Sequence, residues 1–449
     1  MIAKRALTLT VAALATAVTA CAAAVPSASA AVKAVTITYV LQGPLTGPTG
    51  TMWKQMAAQF NKQYAPIKIQ LIPESQAQIE ATELTSVKSA NPPDMIYWPV
   101  GAGYGETTAA AEHLLANLLP LYKKEGWLKV MPSSMVEEEV NGGLYNVDGQ
   151  LGAQPYVFYN KTVFNKLHLS PPTTAAGFVP LAHKLKAAGY IPMAFGTVHQ
   201  WPAVHLMSIL TERLLSKQAY YNLEYSWEPS IKRPTSWTTP AVVAAFATLQ
   251  KWAKAGLFES GSSSLTNGEA QSVFESGKAA MTSCPIGCYP PAAIKQYIGS
   301  RFAVGMFQYP QMVKSIPTYQ NVAVANGEFS VPEKAWVKNK QAITDWIEFY
   351  MSKQARTDMV VTAGLLPDDT SGLSSALIAK NVGPFAAKVS QWITKYGTEQ
   401  NLDGWLAAPL KALVAVEAQD VIAGTATPAQ ACARLQAEAA GLHSGKIAA

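Results

Sequence analysis

Val35-Thr-Ile-Thr-Tyr-Val40, a stripe of Met52, Met56, Phe60 and Tyr64, and then Ile67, Ile69 and Leu71 form the opening that decides the fold. The outer stretches alternate apolar and polar residues, as half-buried strands do. The stripe between them recurs at about four-residue spacing, the pattern of a helix packed on a sheet. A further amphipathic stretch near Ile79, Leu84 and Val87 ends at Asn91-Pro92-Pro93, and Asp94-Met-Ile-Tyr-Trp98 reads as a buried strand. Strand and helix keep alternating, which predicts an α/β sheet with crossover helices and a ligand site outside the carboxyl ends of its strands.

The second half has a different texture. A helix opens at Thr239-Pro240, presents Val242, Val243, Phe246 and Leu249 on one face and stops at Gly256. Gly268 to Phe274 reads as another, and Ala279-Ala280-Met281 as a buried strand that ends in a loop holding Cys284 and Cys288. Val337 to Met351 carries Ile343, Trp346, Ile347 and Tyr350 at helical spacing, a core stripe. No internal repeat is present.

The chain has 449 residues, 49% of them hydrophobic. Its charged fraction of 14% lies well below the average of about 25%, which excludes a disordered acidic or basic protein. The length predicts two domains or one elaborated α/β domain. The net charge of +6 falls by two, to +4, without Lys4 and Arg5, and the basic residues are scattered among 29 acidic ones. Such a surface predicts no nucleic-acid partner, because phosphate backbones need clustered Lys and Arg.

Residues 1–30 read as an export signal: Lys4 and Arg5 form the charged region, and Ala6 to Ala20 an apolar run shorter than the about 20 residues of a membrane span. Two cuts are open. One follows Ala28-Ser29-Ala30. The other precedes Cys21, where Val18-Thr19-Ala20-Cys21 resembles a bacterial lipobox, with Cys21 then lipidated and Ala22 to Ala31 a tether. Cys284, Cys288 and Cys432 are left for an oxidising compartment, and the reading is a local Cys284–Cys288 disulfide with Cys432 free and buried. The six His show no metal-ligand spacing, and neither a metal nor a cofactor is expected.

Motifs for catalysis are missing. No Gly-x-Ser-x-Gly elbow or P-loop string occurs. Gly101-x-Gly103-x-Gly105 has the wrong spacing for a dinucleotide fingerprint and reads as a mobile loop. Asp368-Asp369 and the run Glu137 to Glu139 read as solvated faces, and His199 and His205 as structural or rim residues.

Pro93-Asp94, the run Asp148-Gly149-Gln-Leu-Gly-Ala-Gln-Pro155-Tyr156, and Tyr159-Asn160-Lys161-Thr-Val-Phe164 with Pro171-Pro172 follow one another in order. Phe274-Glu-Ser-Gly277-Lys278-Ala279-Ala280-Met281, Val304-Gly305-Met-Phe-Gln-Tyr-Pro310 and Ser352-Lys-Gln-Ala355 come later. Together, across nearly the whole chain, they resemble family 1 of the extracellular solute-binding proteins of bacterial ABC importers, the group of maltose-binding protein. One departure stands out: Ser283-Cys284-Pro-Ile-Gly-Cys288-Tyr289 replaces the Gly and Trp that often follow the Ala-Ala-Met strand in that family.

The resemblance implies a two-lobe periplasmic-binding-protein fold of type II, with a hinge and an interlobe cleft. Residues 31–154 plus 325–366 would form the N-terminal lobe, and 155–324 plus 367–449 the C-terminal lobe, with chain crossings near 154, 324 and 366. It implies a carbohydrate ligand, a membrane permease as partner, an extracytoplasmic monomer and no catalysis. The alternatives are an exported glycosidase, a receptor for another solute such as a glycerol-phosphate or peptide, and an adhesion protein. A sugar cleft needs aromatic platforms beside hydrogen-bonding groups. Candidates are Gln42 and Thr46 after the first strand, Trp98 and Tyr104 after the third, Tyr156 at the first crossing, Trp201, Tyr289 in the cysteine loop and Glu328 near the second crossing; plain scaffold is the alternative role for each.

Overall fold

A computed structural model of the chain describes residues 34–131, 142–153, 155–316, 323–325, 327–396, 399 and 401–447. Cys21 with the rest of the expected leader, the acidic run 137–139 and position 154 lie outside them. The strands are β1 (Thr36–Gln42), β2 (Lys68–Glu74), β3 (Met95–Ile96), β4 (Asn146–Val147), β5 (Leu151–Ala153), β6 (Tyr156–Asn160), β7 (Ile191–Ala194), β8 (Ala279–Cys284), β9 (Val304–Phe307), β10 (Ala323–Ala325) and β11 (Phe329–Ser330).

They form two main sheets. The first runs β2-β1-β3-β11-β4 and the second β7-β8-β6-β9. β1 pairs in parallel with both β2 and β3, so Tyr39 stands opposite Leu71 on one side and Met95 on the other. The parallel pairing requires a crossover, and the helix Gly47–Gln63 supplies it, burying Met52, Trp53, Met56 and Phe60 against the sheet. Thr38 and Asp94 clip β1 to the turn before β3: the Thr38 backbone N–H donates to Asp94 Oδ2 at 2.8 Å, and Asn339 Nδ2 donates to Asp94 Oδ1 at 2.7 Å.

Each sheet has its own core. Around the first, Tyr39, Trp53, Phe60, Phe329 and Tyr350 pack with Ile343, Trp346 and Ile347 of the helix Glu333–Tyr350. Around the second, Phe178, Met193, Phe246, Trp252 and Tyr309 pack with Leu410 and Val414 of the helix Ala408–Ala423. Helix starts follow local chemistry. Ser75 with Gln78 and Thr266 with Glu269 form reciprocal capping boxes at Gln76–Lys88 and Asn267–Glu275.

Between the sheets the chain runs as a narrow ribbon. β5 pairs antiparallel with β10, Gln150 bridges Pro367, and the Leu151 N–H donates to Leu366 O at 2.8 Å. Three stretches distant in sequence thus lie side by side where the chain passes from one core to the other. Asp368 and Asp369, expected on a solvated face, lie beside this ribbon at 6% and 7% exposure, and Asp369 is paired with Arg356 at 2.7 Å. A disulfide joins Cys284 to Cys288 and Cys432 is free and buried, as read from spacing. Among the described residues no helix is long and apolar enough to cross a membrane.

Candidate functional site

The carboxyl ends of β1 and β3 and the segments after β7 and β8 converge on one groove. It consists of three adjoining cavities of about 130, 170 and 390 Å³. The first two share Gln42 and Tyr97, and the last two share Tyr104 and Trp201. Gln42, Gln76, Tyr97 and Tyr104 reach the middle cavity from elements of the first sheet, and Trp201, His205, Pro285 and Asp403 from those of the second. The placement obeys the rule for open α/β sheets, since only strand ends leave loops free to face a ligand.

Asp403 organises the middle cavity. Its backbone N–H donates to the Asn401 side chain at 3.1 Å at the start of the short helix Leu402–Trp405. The Tyr104 hydroxyl donates to its carboxylate, His205 Nε2 lies 3.1 Å from the same oxygen, and Lys411 Nζ lies 3.7 Å from the other. Burial by itself would raise the Asp403 pKa. The Lys411 ammonium and the hydrogen bonds from His205 and Tyr104 outweigh it and hold the group at about 2. Because the carboxylate is ionised, His205 Nε2 is the donor. In the neutral ring, Nδ1, which has no hydrogen-bond partner among the described residues, is left as an acceptor. Lys411 also lies over the Tyr104 ring, 3.3 Å from its centroid.

Trp201 is aimed by strain. Gln200, just before the helix Trp201–Glu212, has φ 62° and ψ −51°, which a non-glycine residue adopts at a cost of about 1–3 kcal/mol. That turn sets the indole beside the His205 ring at 4.9 Å, on the wall shared by two cavities. At the other end of the groove Glu328 accepts a hydrogen bond from the Tyr39 hydroxyl at 2.9 Å, and burial pushes it to about 7.

Of the residues singled out from sequence, Gln42, Tyr104, Trp201 and Glu328 line the groove. Four stand elsewhere. Thr46 is exposed ahead of the first helix, and Thr49, three residues on, lines the first cavity instead. Trp98 is 1% exposed, its indole N–H donating to Tyr104 O at 2.9 Å, so it braces the loop from behind. Tyr156 packs edge-on against Phe385, and Tyr289 against Phe158 and Phe274, because both sit on segments enclosed by the second sheet's helices. Pro285 of the same cysteine loop does reach the groove. His205, expected as rim or structure, faces the middle cavity. Sequence reading also missed Gln76, Tyr97, Asp403 and Lys411. Gln76 and Tyr97 follow the ends of β2 and β3, and the strand-end rule applied to every strand would have found them. Nothing local marks Asp403 or Lys411.

Burial also pushes Glu106, Asp148 and Glu212 to about 7. Together with Glu328 these carboxyls bind protons more tightly folded than unfolded, where Asp and Glu titrate near 4. Their contribution to stability is complete below pH about 4 and is lost as pH rises through 7. Asp403 acts oppositely but only below pH about 4. Melting at pH 5 is therefore expected about 3 °C or more above melting at pH 8. Calorimetric scans across that range check it, and a flat or inverted profile contradicts the buried protonated carboxyls.

Two cores, a ribbon between them and a groove at the strand ends give the chain the two-lobe fold of the type II periplasmic class. It belongs to a family described as bacterial extracellular solute-binding proteins, whose model matches residues 55–386. A probable sugar-binding periplasmic protein of Mesorhizobium japonicum is 34% identical over 95 residues, which are 21% of this chain and 23% of that one. An uncharacterized ABC transporter extracellular-binding protein of Pyrococcus horikoshii is 27% identical over 192 residues, 40% of this chain and 41% of its own. The chain thus spans less than half the length of either relative. A solved structure of a chitin oligosaccharide binding protein superposes with a TM-score of 0.74 at 20% identity, covering 91% of this chain and all of that one.

Proposed function

We propose that this protein is the extracytoplasmic receptor of an ABC importer, capturing a mono- or oligosaccharide between two lobes and presenting it to a membrane permease. The observation that carries the reading is the middle cavity, in which Tyr97, Tyr104 and Trp201 stand beside Gln42, Gln76, His205 and an ionised Asp403. Rings suit the C–H faces of a sugar, and the surrounding acceptors and amides suit its hydroxyls. The sugar-binding relative and the chitin oligosaccharide receptor support the ligand class.

In this reading the lobes are 31–154 plus 325–366 and 155–324 plus 367–449, and the β5–β10 ribbon with the Gln150–Pro367 bridge is the hinge. A ligand touched from both sides shifts the population toward closure. The monomer acts without catalysis, exported by residues 1–30 and held at the membrane through Cys21 when cleavage precedes that residue. Titration calorimetry against a panel of neutral mono- and oligosaccharides tests it, with one tight ligand expected. Silence across the panel transfers the reading to a glycerol-phosphate or peptide, and release of hydrolysis products transfers it to an exported glycosidase.

A further inference from the structure

The loop Gly101-Ala102-Gly103-Tyr104-Gly105 follows β3 of the first sheet, whereas Asp403, Gly404 and Lys411 lie on segments whose Leu402, Leu406 and Leu410 pack in the core of the second. These two segments meet directly. A Cβ at Gly101, whose φ is +106°, would lie 2.1 Å from the Gly404 carbonyl oxygen, and one at Gly103 would lie 2.2 Å from that of Asp403. Only glycine permits this backbone approach. The side chains then engage: the Tyr104 hydroxyl donates to the Asp403 carboxylate, and Lys411 Nζ sits over the Tyr104 ring at 3.3 Å.

Both halves of the contact are braced from their own side. On the first side the Trp98 indole holds Tyr104 O at 2.9 Å, and the Gly101 N–H donates to buried Glu106 Oε2 at 3.2 Å. On the second, His205 lies 3.1 Å from Asp403, and Asn401 fixes the Asp403 backbone. The groove runs past this contact on both faces, since Tyr104 lines the middle and the largest cavities.

We propose that the Gly101–Gly105 loop and the Asp403–Lys411 segment form a self-latch that keeps the lobes substantially closed before any ligand binds. The inference rests on the hinge of the reading above but not on the identity of the ligand. Its consequence is regulatory. An intrinsic closing interaction lifts the fraction of binding-competent protein, so the ligand supplies less of the closure free energy and its apparent affinity rises by the same factor. The latch also sets a ceiling on discrimination between empty and loaded receptor, because both populate the closed shape.

Small-angle scattering of the unliganded protein tests it without any sugar. The wild-type profile should be that of the closed form, in which the two segments touch. Tyr104→Phe removes one hydrogen bond to a buried carboxylate, and that loss should shift the closed-to-open ratio by about 10- to 100-fold and raise the radius of gyration. Lys411→Met, which keeps the side-chain length, should shift it the same way, and it serves as the independent reading should Tyr104→Phe fold poorly by circular dichroism. An open wild-type profile overturns the latch, as does a closed profile that neither variant alters. Failure of the carbohydrate reading would appear as silence in calorimetry while the scattering results stood, so the two are separable.

Discussion

Trp201→Ala is expected to weaken carbohydrate binding by about 10- to 100-fold while leaving the melting temperature within about 2 °C of wild type. An aromatic face fully covered by a ligand is worth about 1.5–3 kcal/mol, and each 1.4 kcal/mol is about tenfold in affinity. Trp201 is only partly buried by the protein itself, so removing it leaves little empty core behind. The comparison that gives the measurement its meaning is Trp98→Ala. Trp98 is enclosed and braces Tyr104 O, so its loss should appear first in stability. Calorimetric titration of both variants with the tightest sugar of the panel decides the matter. Equal affinity of Trp201→Ala and wild type would remove this indole from the binding surface.

The second large effect is structural. Trp346→Ala should cost about 3–5 kcal/mol, the range for deleting a large aromatic from a packed core. Trp346 is fully buried and meets Phe60 edge-on at 5.1 Å, Phe349 at 5.7 Å and Trp53 at 6.5 Å. These neighbours sit on the helix Gly47–Gln63 and on Trp346's own helix, which cannot collapse into the vacated space without shifting the whole first core. Because the second core is built from different residues, the damage should be local: hydrogen exchange should accelerate in β1 and the helix Glu333–Tyr350 and change little in β8 and the helix Ala408–Ala423. Uniform acceleration through both would mean that the two cores unfold as one cooperative unit.

The carboxyls raised by burial bear on how such measurements are made. Glu328 lies in the groove and Asp148 close to the ribbon, so ligand titrations at pH 5 and pH 8 sample different charge states of the site. The ionised Asp403, by contrast, keeps its charge throughout that range.

Several of the helices and strands were legible from periodicity alone. The stripe Met52, Met56, Phe60 and the run Ile343, Trp346, Ile347 lie on buried faces, and Ala279-Ala280-Met281 opens β8. The disulfide was legible from its spacing. The site was legible only in part. Gln42 closes β1 and Tyr104 follows β3, where topology puts ligands, and so carried a local signal, whereas Trp201 was marked by the family resemblance. Trp98 and Tyr289, in the segments after β3 and β8, carried the same signal, and Tyr156 opens β6 at the expected crossing, yet all three point into the protein, since the direction of a ring depends on which neighbours arrive to cover it.

The glycines at 101, 103 and 105 show the difference most sharply. As a string they suggested a mobile loop. In space the first two are where one backbone meets another, because Asp403 and Gly404 come from some 300 residues away to press against them. Periodicity and spacing record interactions between near neighbours, so sequence alone determined the strongly periodic elements, their buried faces and the small covalent loop. Which groups face one another across the groove is set by chain segments that meet only after both cores have formed, and that was left to the tertiary structure to decide.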